Sequence, residues 1–239
     1  MIRIGTSGWT YKHWRGDFYP EKIPQKRWLE YYTEHFDTVE LNASFYHIPK
    51  ASTARGWAER TPQEFRFAVK VSRLITHVHK LDGCEDTLEW FFRELEPLRH
   101  KVCAYLLQLP PSFAPQPERL ENFFSLLPHN NRYVLELRNP NCYSFTVSKL
   151  LERYGIGFCI HDLSGLETPH FVTSSLVYLR FHGTGDRYSG GYSDHELELW
   201  AFRIRSWSDY GNDVLVYFNN DIGGYAVRNA KTLYDIIHR

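Results

Sequence analysis

Strand-like and helix-like segments alternate along this chain from end to end, and strict alternation of that kind leaves few folds open. The strand-like runs are Ile2–Gly5, Thr38–Asn42, Arg66–Lys70, Val102–Leu109, Tyr133–Arg138, Gly157–His161, Leu176–His182 and Val214–Asn219. Amphipathic helix-like pieces fall at Gln25–Phe36, Ala51–Arg60, Asp86–Leu98, Glu118–Leu127, Thr146–Tyr154, Asp194–Trp207 and Ala226–Ile237. The interval Leu163–Ser175 carries Gly165 and Pro169 and reads as loop, so the sixth helix is expected to be irregular or missing. Eight β units in 239 residues average roughly 30 residues each, the size of one βα unit. The expected fold is α/β, a TIM-like (β/α)8 barrel formed by residues 1–239 as one domain, with a doubly wound open sheet as the runner-up.

The polarity of each strand carries the functional signal, because successive side chains point to opposite faces. Val39 and Leu41 oppose Glu40 and Asn42; Phe67 and Val69 oppose Arg66 and Lys70; Leu107 and Leu109 oppose Gln108. Leu135 and Leu137 oppose Glu136 and Arg138, and Phe158 and Ile160 oppose His161. Val177, Leu179 and Phe181 oppose Tyr178, Arg180 and His182; Val216 and Phe218 oppose Tyr217, Asn219 and Asp221. One face is apolar and fit to carry helices. The other turns polar towards the C-terminal end, where parallel α/β proteins place their sites. Buried charges have to be paired, and apolar replacements of such pairs are often neutral or better for stability. A chain that points this many charges inward is therefore read as using them for chemistry.

Composition limits the alternatives. Lys plus Arg and Asp plus Glu are both 28, so no bulk positive charge drives non-specific nucleic-acid binding. The four cysteines form no C-x-x-C pair, the N-terminus has no apolar signal segment, and no run is long enough to span a membrane. A reducing cytoplasm and no membrane partner are the expectation. G-x-G-x-x-G, the Walker phosphate loop, G-x-S-x-G and H-E-x-x-H are all absent.

Several motifs carry a resemblance. They are Gly5-Thr6-Ser7-Gly8-Trp9-x-Tyr11 with Trp14, Phe18-Tyr19-Pro20, and Thr38-Val39-Glu40-x-Asn42-x-x-Phe45-Tyr46-x-x-Pro49. Phe67-x-x-Lys70, Ile75-Thr76-His77 and Gln108-Leu109-Pro110-Pro111-x-Phe113 continue the series. Tyr178-x-Arg180-x-His182-Gly183 and Tyr217-Phe218-Asn219-Asn220-Asp221, with Gly224, Ala226 and Asn229-Ala230, close it. The chain resembles the YecE-like family, a domain of unknown function, over almost its whole length. The resemblance implies a TIM-like barrel and no particular activity. One motif departs: the family's Glu-x-Arg-His reads Glu136-Leu137-Arg138-Asn139 here, so a role for that histidine is not carried over.

The inward residues support three readings. In the first, the protein is an enzyme acting on a small anionic, phosphate-bearing substrate, with phosphoester hydrolysis as the reaction. Lys70, Arg138 and Arg180 hold the anion, Glu40, Glu136 and His182 are catalytic, and Asn42, Gln108, Asn219 and Asp221 bind substrate. In the second, a divalent metal takes part, with His161 and Asp162 as candidate ligands beside the carboxylates in a nuclease-like site. In the third, single-stranded nucleic acid stacks on Trp9, Tyr11, Trp14, Tyr46 and Tyr192. The competing expectation for Trp14, Phe18 and Tyr19 is a hydrophobic lid.

Overall fold

A computed structural model describes residues 1–114, 116–163, 166–185 and 188–239, with the side chains of residues 166 and 167 not described. Eight parallel strands form a nearly closed TIM-like barrel: β1 (Ile2–Thr6), β2 (Thr38–Leu41), β3 (Arg66–Lys70), β4 (Val102–Gln108), β5 (Tyr133–Glu136), β6 (Gly157–Leu163), β8 (Leu176–Phe181) and β9 (Asp213–Phe218). Hydrogen bonding runs β1-β9-β8-β6-β5-β4-β3-β2. The helices are α1 (Trp28–Thr33), α2 (Ala43–Tyr46), α3 (Ala51–Glu59), α4 (Glu85–Leu95), α5 (Pro117–Ser125), α6 (Phe145–Tyr154), α7 (Asp194–Asp209) and α8 (Tyr225–His238).

Between β6 and β8 the described residues contain no α-helix. A two-residue strand, β7 (Leu166–Glu167), instead folds back antiparallel on β6. Gly165, cited above for this loop, lies outside the described residues. Thr168 and Thr173 tie this connection to the backbone of β6 and the residue before it. The Thr173 hydroxyl accepts from the Phe158 N–H and donates to the Ile156 carbonyl, and Thr168 does the same at both backbone groups of His161.

Strand alternation sorts the side chains as the sequence indicates. The outward set, including Val39, Phe67, Val69, Leu107, Leu135, Phe158, Ile160, Leu179 and Val216, joins the helices in one large core. The inward set forms a separate, smaller cluster of Ala68, Ala104, Leu106, Val134, Cys159, Leu176, Tyr178, Leu215 and Tyr217. Apolar residues thus fill the lower and middle barrel, and the charges stand above them.

The one weak seam lies between β1 and β2, which share a single parallel bridge, Ser7 to Glu40. A side chain ties the seam. The buried Tyr32 hydroxyl accepts from the Thr6 N–H at 3.0 Å and donates to the Thr38 carbonyl at 3.1 Å. Gly5 sits beside it because a Cβ there would come within 2.3 Å of the Thr38 carbonyl oxygen. Tyr32→Phe should therefore cost about 1–3 kcal/mol, since it strands two buried backbone groups. Urea unfolding measures this, and a loss under about 0.5 kcal/mol, the scale of a neutral surface change, would show that the hydroxyl does not hold the seam.

Candidate functional site

Above the apolar interior, four charged side chains form one alternating chain. Arg180, at the end of β8, is 1% exposed and grips Glu40 of β2 with two bonds, Nε to Oε2 at 2.9 Å and Nη2 to Oε1 at 2.7 Å. Its Nη1 donates to Oε2 of Glu136 at 2.6 Å. Arg138 closes on the other oxygen of Glu136 through Nε. The Tyr178 hydroxyl donates to Oε2 of Glu40 at 2.7 Å. Burial raises the Glu136 carboxyl, but Arg138 and Arg180 outweigh it and hold the group well below the usual carboxylate range.

This geometry changes the roles read from the sequence. All four carboxylate oxygens of Glu40 and Glu136 are occupied by guanidinium groups, and Arg180 has all three of its nitrogens engaged with them. Carboxylates so held are poor general bases, and three of this arginine's five N–H groups are spent on them. The three residues act as the frame of the site.

His182 continues the chain. Its Nε2 lies 3.1 Å from Nη2 of Arg138, and its Nδ1 lies 3.0 Å from the side-chain amide of Asn219. Burial, then Arg180 and Arg138, push its pKa well below the ordinary value, which keeps the ring neutral. His161, on β6 level with Arg180, is 2% exposed, and neither ring nitrogen has a hydrogen-bond partner among the described residues. Burial in this surrounding, with Arg138 and Arg180 near, drops its pKa to about 4. The Ser7 hydroxyl and Asn42 Oδ1, both at the tops of neighbouring strands, are likewise buried atoms without a partner among the described residues.

Lys70, at the end of β3, is 9% exposed. Its Nζ stands 4.0 Å over the Phe45 ring, and among the described residues no carboxylate pairs with it. Burial, then the positive field of Arg180, push its pKa down to about 7 against the pull of Glu136 and Glu40. Gln108 is half-buried beside Glu136 across the β4–β5 ladder.

The other expected site residues lie outside the ion-pair chain itself. Asp221 lies past the end of β9, where alternation stops, and leads into a short 3-10 turn beside His13, 3.6 Å from its imidazole. Trp9 is half-buried and packs edge-on against Trp57 of α3 and Phe67. Tyr11 turns its hydroxyl onto the Ser7 carbonyl at 2.5 Å and packs on Trp14. Tyr46 is exposed above Phe45. Tyr192 is buried between Phe181 and Phe218, where its hydroxyl accepts from the Gly183 N–H. Asn139, at the position of the family histidine, caps a 3-10 turn by accepting from the Asn141 N–H.

The suggested metal pair is separated by the strand itself. His161 faces the barrel interior, and Asp162, next in sequence, turns to the other face, where Tyr192 interacts with it. Among the described residues no three His, Cys, Asp or Glu side chains converge to hold a metal. Sequence reasoning missed Phe45 and Tyr188. Tyr188 lies 5.3 Å from His182, ring to ring, in the loop after β8, with no periodic pattern to mark it.

Comparison with known proteins agrees with this architecture. The family described as "Protein of unknown function DUF72" matches residues 3–239. The UPF0759 protein YecE of Escherichia coli K12 is 31% identical over the whole of this chain and 93% of its own length. The UPF0759 protein YunF of Bacillus subtilis is 29% identical over 99% of this chain and 95% of its own. The crystal structure of a DUF72 family protein from Thermotoga maritima superposes with a TM-score of 0.92 at 28% identity, both chains covered in full. By sequence and by fold, the chain belongs to the DUF72 family.

Proposed function

We propose that the mouth of the barrel binds a small anionic, phosphate-bearing substrate and that the protein is an enzyme acting on it. One observation carries this reading: Glu40 and Glu136 are used up by Arg180 and Arg138, and Lys70 stands beside them as a further basic group with no carboxylate partner among the described residues. The cluster has a surplus of positive charge in a site from which most water is excluded, where a counter-charge is worth far more than at a surface. His161, Ser7 and Asn42 add buried polar atoms with no described partner, which a bound molecule could satisfy. Neutral His182 supplies an imidazole for proton transfer, a role better suited to it than to the clamped carboxylates.

A divalent metal and single-stranded nucleic acid are less favoured partners. The candidate metal ligands diverge, and of the aromatic residues suggested for stacking only Tyr46 is exposed. No helix among the described residues is long and apolar enough to cross a membrane.

Inorganic phosphate or a sugar phosphate at a hundred times its Kd should stabilise the fold by about 2.7 kcal/mol. For a chain of this size that corresponds to about 5–10 °C in Tm. Lys70→Met should abolish the shift while the ion-pair frame stays intact. A shift that survives Lys70→Met, or none from any small anion, would overturn the reading. A shift produced only by oligonucleotides at low salt would favour the nucleic-acid partner instead.

A further inference from the structure

We propose that Lys70 is a nucleophile: its ε-amino group condenses with the carbonyl carbon of a small anionic aldehyde or ketone and forms an iminium. The inference rests on the anion-binding reading of the mouth and adds to it the functional group that the substrate presents.

Three observations support it. Lys70 emerges from the C-terminal end of a barrel strand, where the fold places catalytic groups. Its amine is nearly buried over the face of Phe45 and has no described carboxylate to hold it as an ammonium. Arg180 and Arg138 contribute positive charge, against Glu136 and Glu40, and burial outweighs both in lowering its pKa to about 7. Desolvation and neighbouring cations are the two means by which a lysine becomes nucleophilic near neutral pH. Roughly half of such an amine is neutral at about pH 7, against about one part in a few thousand for an ordinary lysine.

The step balances. The neutral nitrogen's lone pair attacks the carbonyl carbon, forming a C–N bond, and the C=O π pair moves to oxygen. The nitrogen passes one proton to that oxygen to give the carbinolamine; a second proton, the one the Lys70 ammonium released to solvent, lets the hydroxyl leave as water while the nitrogen lone pair closes the C=N bond. Overall, an ammonium and a carbonyl give an iminium and water, with one positive charge on each side. The substrate's own negative group offsets that charge, which the empty cluster disfavours.

The test traps the iminium with borohydride. Wild-type protein at about pH 7 is treated with glycolaldehyde phosphate or with neutral glycolaldehyde, and adducts are located by peptide mass spectrometry. The phosphate compound should label Lys70 at least about tenfold faster than the exposed Lys22, Lys50 and Lys80, and faster than glycolaldehyde labels it. Lys70→Arg keeps the cation and removes the nucleophile, so it should lose this labelling and keep stabilisation by inorganic phosphate. Lys70 labelled no faster than the exposed lysines by either aldehyde would overturn the proposal, and anion binding would still stand on the phosphate shift. Fast labelling by both aldehydes alike, with no phosphate shift, would uphold the nucleophile and overturn the anion reading. A fast adduct that persists in Lys70→Arg would overturn the assignment to this residue.

Discussion

Arg180→Met is expected to destabilise the protein by about 3–5 kcal/mol, the cost of removing one partner from a buried ion pair. At about 2–4 °C per kcal/mol for a chain of this size, Tm should fall by roughly 6–20 °C. Glu40 bears most of the loss, since it keeps only the Tyr178 hydroxyl, whereas Glu136 keeps Arg138. The effect has a pH signature. The pKa of Glu136 in the folded protein is depressed, so its contribution is present above the unfolded carboxyl value of about 4.3 and fades as the pH falls through the folded one. In the variant Glu136 keeps only Arg138 and its pKa rises towards the ordinary carboxylate range. The gap between wild type and variant should be full above about pH 5 and narrow in acid. Denaturant melts across that range decide it. A loss below about 1 kcal/mol at neutral pH would mean the carboxylates find other partners. Replacing Glu40, Arg180, Glu136 and Arg138 together with apolar residues of similar volume is expected to be much milder than Arg180→Met alone. That contrast would show a cluster kept for its field on Lys70 and His182 and not for stability.

The second large effect is expected at Trp14. Its ring is fully buried, with ring centroids 4.7 Å from Tyr11, 5.8 Å from Phe18 and 6.1 Å from Tyr19. Its carbonyl accepts from the Phe18 and Tyr19 N–H groups. Tyr19 in turn stacks on Trp28 of α1 at 4.5 Å, so Trp14 joins the loop after β1 to the helix layer. Trp14→Ala should cost about 3–5 kcal/mol, the usual range for emptying such a site. The same truncation at exposed Tyr46 should cost under about 0.5 kcal/mol. Chemical denaturation of both variants, followed by near-ultraviolet circular dichroism, separates packing from ligand stacking. Comparable losses at the two positions would show that the first loop is not part of the core.

Much of this architecture is written in strand periodicity. Because the side-chain period is two, Glu40, Lys70, Glu136, His161, Tyr178, Arg180 and His182 could be assigned to the inner face from apolar neighbours alone, and the separate inner core agrees. The interval for the sixth helix, short and carrying Gly165 and Pro169, reads as loop, and its described residues contain no α-helix. Periodicity ends with the strand. Asp221, three residues past β9, follows the geometry of a 3-10 turn. The aromatic loops have no period either, so Trp9 and Tyr192 looked like open rings until their packing partners were known.

The sequence by itself determined the βα repeat, the face each strand turns inward and the end at which the charges gather. These follow from local backbone geometry and from the free energy of burying apolar surface, both of which act residue by residue. Only the tertiary structure decided who pairs with whom. Glu40 and Arg180 are 140 positions apart, and their approach depends on how the barrel brings β2 and β8 across its interior. Partner choice in a desolvated cluster depends on distances of a few ångströms, and through them it decides which carboxylates are spent, which imidazole stays neutral and which lysine is left without a counter-charge.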